Sequence, residues 1–237
     1  MIPQFVLDDL KALGLSLDAQ VLENLAAYLD HLLEATRQVN LTAIRERDEA
    51  WRRLIVDSLT PLKFLALEPG SQVVDIGTGA GLPGIPLAIA RPDHQFSLVD
   101  STGKKIKFLE SVVELLGLEN VRLYTERVET LGQAATLREA YDLAISRAVG
   151  PMPMVLEYSL PLLKLGGTVL AMKGPKAAEE LEQSVKALSK LGGGEVRVDS
   201  AYPETFDNDL VLVRVTKTQA TPRAYPRSPG TPKRDPL

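Results

Sequence analysis

Cysteine is absent from these 237 residues. That removes disulfides, thiolate metal sites and any cysteine nucleophile. Histidine is nearly absent. His31 and His94 are the only two and lie far apart in the chain, which argues against a histidine metal cluster. No apolar run reaches the ~18 residues that suggest a membrane span. The first residues lack the charged-then-apolar layout of a signal peptide. No metal, no membrane association and a cytoplasmic location are therefore expected. A general excess of positive charge is also missing: the net charge is −4. The distribution says more than the total. Lys217, Arg223, Arg227, Lys233 and Arg234 face only Asp235 in the last 21 residues, a net of +4 in an otherwise acidic chain. Sign asymmetry of this kind points to a basic tail with an anionic partner.

What is present is a globular composition, 45% hydrophobic and 24% charged. A chain of this length forms one large domain, or one domain with an appendage. Its organising stretch is QVVDIGTGAGLPG, from Gln72 to Gly84. Val73, Val74 and Ile76 are β-branched and read as a buried strand interrupted by Asp75. Gly77, Gly79 and Gly81 then turn the chain. Pro83 stands where a helix can start, and Ile85, Leu87, Ala88 and Ile89 continue as its apolar face. Strand, glycine turn and helix form the first unit of a nucleotide-binding α/β sheet. The glycines admit a tight turn and close approach of a ligand. The helix start offers free N–H groups and a positive dipole. The segment from Gly79 to Gly84 also fits the G-x-G-x-x-G dinucleotide fingerprint, so the cofactor stays open at this point.

Before that unit the chain reads as helical. Leu22, Leu25, Leu29, Leu32 and Leu33 form an amphipathic face, with Ser16 or Asp18 as the candidate cap. A second helix is expected over 48–65, with Trp51, Leu54, Ile55, Leu59 and Leu62 apolar and Pro61 kinking or ending it. After the glycine turn, strands are expected at 96–99, 121–124, 141–145 and 168–172. Helices are expected at 104–116, 153–163 and 177–191. Two last strands, 195–202 and 210–216, follow each other without a helix. Alternation of this kind implies a parallel sheet with helices on both faces, closed by an antiparallel pair at one edge. The last 17 residues hold five prolines and read as a disordered extension that lies against RNA, with docking onto the body through Tyr225 as the alternative. The expected domains are a helical extension at 1–66, a cofactor-binding domain at 67–216 and a basic, proline-rich tail at 217–237.

Ligands in open α/β sheets bind outside the carboxyl ends of the strands. Asp100 ends the second strand, where a carboxylate can accept both ribose hydroxyls, so an adenosine-type ligand is expected. A dehydrogenase would also need a substrate domain with a His or Lys acid–base residue, and the material after the fifth strand is too small for one. Seven strands ending in a hairpin look like the class I S-adenosylmethionine methyltransferase fold, a Rossmann-like α/β architecture. Enzymes that methylate exocyclic amines carry Asn/Asp-Pro-Pro-aromatic after the fourth strand; here Ser146-Arg147-Ala148-Val149 stands there. Pyrimidine C5 methylation needs a cysteine nucleophile. Guanine N7 needs neither, because its lone pair is already nucleophilic and positioning carries much of the acceleration.

Several stretches together carry a family resemblance: Asn40-Leu41-Thr42-Ala43-Ile44, Ile55-Val56-Asp57-Ser58-Leu59, the run from Val74 to Pro86, Val99-Asp100-Ser101, Ser146-Arg147-Ala148-Val149, and Tyr225-Pro226-Arg227-Ser228-Pro229-Gly230-Thr231-Pro232-Lys233. Over nearly its whole length the chain resembles the bacterial small-subunit rRNA guanine-N7 methyltransferases, also known as the glucose-inhibited division protein B family. The family usually has a histidine where Leu54 stands. The resemblance implies S-adenosylmethionine as cofactor and one guanine of 16S rRNA, near the decoding centre of the small ribosomal subunit, as substrate. It implies that Gly77, Thr78, Gly79, Gly81, Leu82 and Asp100 hold the cofactor and that Val128 and Glu129 flank its adenine. Arg147 would face the methyl group and the guanine as the catalytic residue. Asn40, Arg45 and Arg53 would lie on the rim, with Lys173, Arg223, Arg227, Lys233 and Arg234 toward RNA. A monomer is expected. Two alternatives stand beside this reading: an adenosine-binding RNA-binding module without catalysis, and an NAD-dependent oxidoreductase. On the residues alone, Asn40 and Thr42 fit a turn cap equally well.

Overall fold

The computed structural model describes residues 2–64 and 67–237. Two helices come first, α1 (Gln4–Ala12) and α2 (Ala19–Thr36). Asp18 starts α2 by accepting from the Val21 N–H at 2.8 Å, the N-cap geometry its side chain favours. Leu25, Tyr28, Leu29 and Leu32 recur at helical spacing and are fully buried. The expected second helix is not uniform. It runs as α3 (Arg47–Ala50), widens into a π-helical turn at Trp51–Val56, returns to α4 (Asp57–Leu59) and tightens to a 3₁₀ turn at Thr60–Phe64. Pro61, which lacks the N–H that a continuing helix needs, sits in the tightened turn. The expected end of this helix at Leu65, and the boundary of the extension at Ala66, lie outside the described residues.

The sheet follows: β1 (Gln72–Ile76), α5 (Gly84–Ala90), β2 (Gln95–Asp100), α6 (Gly103–Leu116), β3 (Val121–Thr125), α7 (Val128–Gln133) and β4 (Tyr141–Arg147). Then come α8 (Met152–Ser159), β5 (Leu163–Lys173), α9 (Ala177–Glu182), α10 (Val185–Leu191), β6 (Gly193–Ser200), β7 (Val211–Lys217) and α11 (Thr231–Arg234). Among the described residues the seven strands lie in the order β3-β2-β1-β4-β5-β7-β6. The first five are parallel, and β7 pairs antiparallel with both β5 and β6. The expected parallel sheet with a terminal antiparallel pair is therefore present. Strand order reverses between β1 and β4, so the crevice outside their carboxyl ends is the binding position in a sheet of this kind.

Helices on both faces divide the interior into two clusters. One joins α1, α2 and the π turn to one sheet face through Val6, Tyr28, Trp51, Val73, Phe96 and Leu98. The N-terminal helices thus share a core with the sheet. The other cluster packs α8 and α10 on the opposite face through Val74, Ala144, Leu156, Val169 and Leu191. Two details depart from the expected pattern. The helix expected over 177–191 breaks between α9 and α10, where buried Ser184 donates its hydroxyl to the Glu180 carbonyl at 2.6 Å. Such a local bond competes with continued helix. The six-residue helix α7, absent from the sequence expectation, is too short to show a clear helical period.

The tail also differs from the expectation. Instead of a disordered extension, residues 221–234 lie against the body, irregular except for α11, and Tyr225 packs against the second cluster, the docking alternative. Arg138 donates to the carbonyls of Thr221 and Tyr225, both at 2.7 Å, and Gln133 donates to that of Pro226 at 2.8 Å. Proline-rich chain cannot form its own ladders, so side chains of the body satisfy its carbonyls instead.

Candidate functional site

The glycine turn after β1 is fixed from below by Asp75. Its carboxylate accepts from the Thr78 hydroxyl at 2.6 Å and from the Gly84 N–H at 2.9 Å. The side chain is fully buried. Burial pushes the Asp75 pKa from 3.8 up to about 7 against the pull of those two hydrogen bonds; nearby Asp100 raises it further and Arg147 lowers it. From above, the Tyr28 hydroxyl on α2 donates to the Ala80 carbonyl at 2.8 Å. Burial holds that phenol well above its usual range. A strand-end acid and a helix from the N-terminal extension therefore clamp one loop between them. Gly81 has φ +97°, and a Cβ there would lie 2.5 Å from Ile85. No L side chain suits either constraint.

Asp100, at the end of β2, is buried and holds three donors. Oδ1 accepts from the Thr102 N–H at 2.8 Å, and Oδ2 accepts from the Gly79 N–H and the Lys105 ammonium, both at 3.1 Å. A carboxylate has about four acceptor positions, so capacity remains on Oδ1. Asp100 faces a cleft of about 330 Å³. Ile76, Val99, Val128, Val149 and Met154 give the cleft apolar walls, and Asp100, Glu126, Glu129 and Lys233 give it polar groups. Gly77 also lines it. Glu129 is buried and accepts from the Gly230 N–H at 2.8 Å and the Tyr158 hydroxyl at 3.3 Å.

A second cleft, about 230 Å³, shares Gly77, Lys105 and Ala148 with the first. Leu41, Thr42, Leu54, Thr78, Gly79, Leu82 and Arg147 line it. Arg147, at the end of β4, donates to the Ser58 hydroxyl at 3.2 Å and to the Arg53 carbonyl, and lies 3.6 Å from Asp57. The plainer alternative to a catalytic role for Arg147, a strand-end ion pair with Glu126 or Asp142, meets a different acid, because residues 53–58 lie over the end of β4 and put Asp57 beside the guanidinium. Asp142 pairs with Lys164 at 2.7 Å. Asp57 is itself held by the Tyr202 hydroxyl at 2.5 Å, and Asn208 lies at 3.5 Å. Its burial pushes its pKa up; Tyr202, Arg147, Arg53 and Asn208 pull it down.

Among the residues expected to hold cofactor, Gly77, Thr78, Gly79, Leu82, Asp100, Val128, Glu129 and Arg147 line one or other cleft, while Gly81 shapes the loop between them. The residues expected toward RNA divide. Asn40, Arg45, Arg53, Arg223, Lys233 and Arg234 are exposed. Two are corrected by the geometry. Lys173 is tied to Glu180 at 2.6 Å, and Arg227 is bound by the buried Glu157 at 2.7 Å, so neither cation stands free toward solvent. Lys233 is exposed but also lines the first cleft. Sequence reasoning misses Tyr28, Lys105, Tyr158, Glu157 and Tyr202. Lys105 is only five positions from Asp100; the others lie in or behind the site through contacts between distant segments, and none of the five stands in a motif. Asp57 and Ser58 do carry a signal, the Ile55-Val56-Asp57-Ser58-Leu59 stretch.

Comparison with known proteins fits this geometry. The family model described as rRNA small subunit methyltransferase G matches residues 21–207. A protein named ribosomal RNA small subunit methyltransferase G from Lactobacillus johnsonii is 41% identical over 239 residues, 100% of each chain. One of the same name from Moorella thermoacetica is 41% identical over 96% of this chain and 95% of its own. The crystal structure of an S-adenosylmethionine-dependent O-methyltransferase from Thermotoga maritima superimposes with a TM-score of 0.55 at 17% identity, over 81% of this chain and 72% of that one, a likeness of fold. With a family match over most of its length and relatives two-fifths identical from end to end, the chain belongs to the rRNA small subunit methyltransferase G family.

Proposed function

We propose that this protein transfers a methyl group from S-adenosylmethionine to N7 of a guanine in 16S rRNA of the small ribosomal subunit. The observation that carries the reading is the meeting of two clefts at Gly77 and Ala148, beside Arg147. One has the apolar walls and terminal carboxylate that suit an adenosine. The other is lined by Leu41 and Thr42, between exposed Asn40 and exposed Ala43 and Arg45.

The residues fit the cofactor. Asp100 is placed to accept ribose hydroxyls, Val128 and Val149 to flank the heterocycle, and the loop from Gly77 to Leu82 to hold the methionine part. S-adenosylmethionine bound there supplies an electrophilic methyl on a sulfonium. The protein's own task is then positioning. Guanine N7 carries a lone pair and no proton, so no general base is required, and arginine stays protonated in any case. Two of the Arg147 partners, the Ser58 hydroxyl and the Arg53 carbonyl, fix its guanidinium plane. Its remaining N–H groups suit guanine O6 or a backbone phosphate. Contact with N7 itself is disfavoured, because methylation leaves positive charge on the base.

Arg45, Arg53, Arg223 and Arg234 are the exposed cations we assign to RNA phosphates. We assign its action to a monomer in the cytoplasm, where small subunits are assembled. Methyl transfer from labelled S-adenosylmethionine to small-subunit RNA or particles, followed by chemical cleavage at 7-methylguanine, tests the proposal. Calorimetry separates the alternatives. Tight NAD binding without S-adenosylmethionine binding would end this reading; cofactor binding without transfer would leave a binding module.

A further inference from the structure

The segment 221–234 lies beyond the family match, which ends at residue 207. Its basic, proline-rich sequence suggests an arm for RNA that stays apart from the cofactor. Its contacts are of another kind. Glu157 on α8 is completely buried. Arg227 binds it with Nε at 2.9 Å and with a second guanidinium nitrogen at 2.7 Å, and the Arg227 backbone N–H adds a third bond at 2.9 Å. Charge-assisted, forked pairs of this type are the strong ones. Leaving a buried carboxylate unpaired is strongly unfavourable, so the anchor holds the segment in place. Before the anchor, the Thr221 hydroxyl donates to the Leu191 carbonyl at 2.7 Å, and Pro226 sits against Gly132, where a Cβ would lie 2.7 Å from the proline ring.

Beyond the anchor the chain reaches the cofactor cleft. The Gly230 N–H binds Glu129, and Lys233 on α11 lines the same cleft as Asp100, Glu126 and Glu129. The segment therefore binds Glu129 and brings Lys233 to the lining of the cleft.

We propose that residues 221–234 are a strap forming the outer wall of the cofactor cleft, that Arg227 is the positioning residue that docks it, and that Lys233 contacts the adenosine half of the cofactor. Ring nitrogens and ribose hydroxyls are acceptors that an ammonium can serve. Three carboxylates lining this end of the cleft balance its charge. The proposal rests on the S-adenosylmethionine reading above.

Calorimetry with S-adenosylmethionine on the full chain tests it, alongside hydrogen exchange over 221–237. The variant E157Q/R227Q removes both charges, so no buried ion is stranded. It should unfold cooperatively, exchange faster over 221–234, and bind S-adenosylmethionine about tenfold more weakly. In the transfer assay its KM for S-adenosylmethionine should rise more than kcat falls, which a general folding defect would not produce. Arg227→Lys should restore part of the affinity. Lys233→Ala should weaken binding about threefold or more with the strap still protected, and S-adenosylmethionine should slow exchange over 221–234 in the unaltered chain. Unchanged affinity in a variant whose strap has come loose overturns the proposal. If the double variant does not fold, unchanged affinity in Lys233→Ala together with no cofactor-dependent protection overturns it equally. Failure of the unaltered chain to bind S-adenosylmethionine would overturn the functional reading itself, and the strap with it.

Discussion

Asp75 and Arg147, near the ends of β1 and β4, are each held by hydrogen-bond partners. Arg147 is tied to Ser58 and the Arg53 carbonyl, so its fork is oriented before any substrate arrives. Arg147→Ala should bind S-adenosylmethionine normally but lose at least about 100-fold in turnover, a barrier increase of about 2.7 kcal/mol. Arg147→Lys should recover little, because a point charge cannot keep both partners and still offer a planar fork; single-turnover kinetics with calorimetry on each variant check this. Asp75 answers to pH. Its pKa rises from 3.8 unfolded to about 7 in the burial of the folded chain. Between those values the unfolded carboxyl has lost its proton while the folded one keeps it. The unfolded state then binds fewer protons, so this group makes stability fall as pH rises from about 4 to about 7 and level off above. Asp75→Asn should remove that decline. In urea melts at pH 5 and pH 8, the variant should gain on the parent at the higher pH; an equal difference at both would contradict the assignment.

At the scale of elements, the site is made by short irregular pieces. The π turn is one of them, and π turns often mark functional positions. It carries Arg53 and Leu54 and leads into Asp57 and Ser58, all around Arg147. The connection between β6 and β7 supports it from behind through Tyr202, whose hydroxyl is 2.5 Å from Asp57. Tyr202→Phe leaves that buried carboxylate without its closest donor and should destabilise the fold by about 1–3 kcal/mol. Because Asp57 steers Arg147, turnover should drop while cofactor affinity holds; chemical denaturation and calorimetry distinguish the two effects. The start of α5 is equally constrained. A Cβ at Gly84 would lie 2.3 Å from Leu98 and 2.7 Å from Asp75. Gly84→Ala should therefore cost about 1–3 kcal/mol by overpacking and weaken cofactor binding by shifting the glycine turn, as a denaturation midpoint and a binding isotherm would show.

For the whole molecule, an acidic body must meet an anionic polymer. The net charge of −4 does not favour that encounter, so a few exposed cations carry it. With Arg227 engaged by Glu157, Arg223 and Arg234 are the exposed tail arginines. If both touch phosphates, the double variant R223A/R234A should flatten the log–log salt dependence of RNA binding by about 1.5–2 units. Cofactor affinity should stay as it was, since neither residue lines the cleft. A slope unchanged from the parent would assign RNA binding to other surfaces.

The sequence by itself determined the sheet. Alternating apolar strands and helices, the glycine turn after Asp75 and the two adjacent final strands specify a parallel sheet with an antiparallel edge, because periodicity and turn chemistry are local properties. It also pointed to the strand ends where Gly77, Gly79 and Asp100 line the two clefts, since strand ends in this architecture are where ligands bind. Tertiary structure decided what surrounds those ends. Tyr28 reaches Ala80 across 52 positions, Arg147 reaches Ser58 across 89, and Gly230 reaches Glu129 across 101. No local pattern records such pairings. The tail shows the difference most plainly: its prolines and cations are those of a disordered basic arm, yet a buried carboxylate on α8 needs a partner, and Arg227 is the residue the fold brings to it.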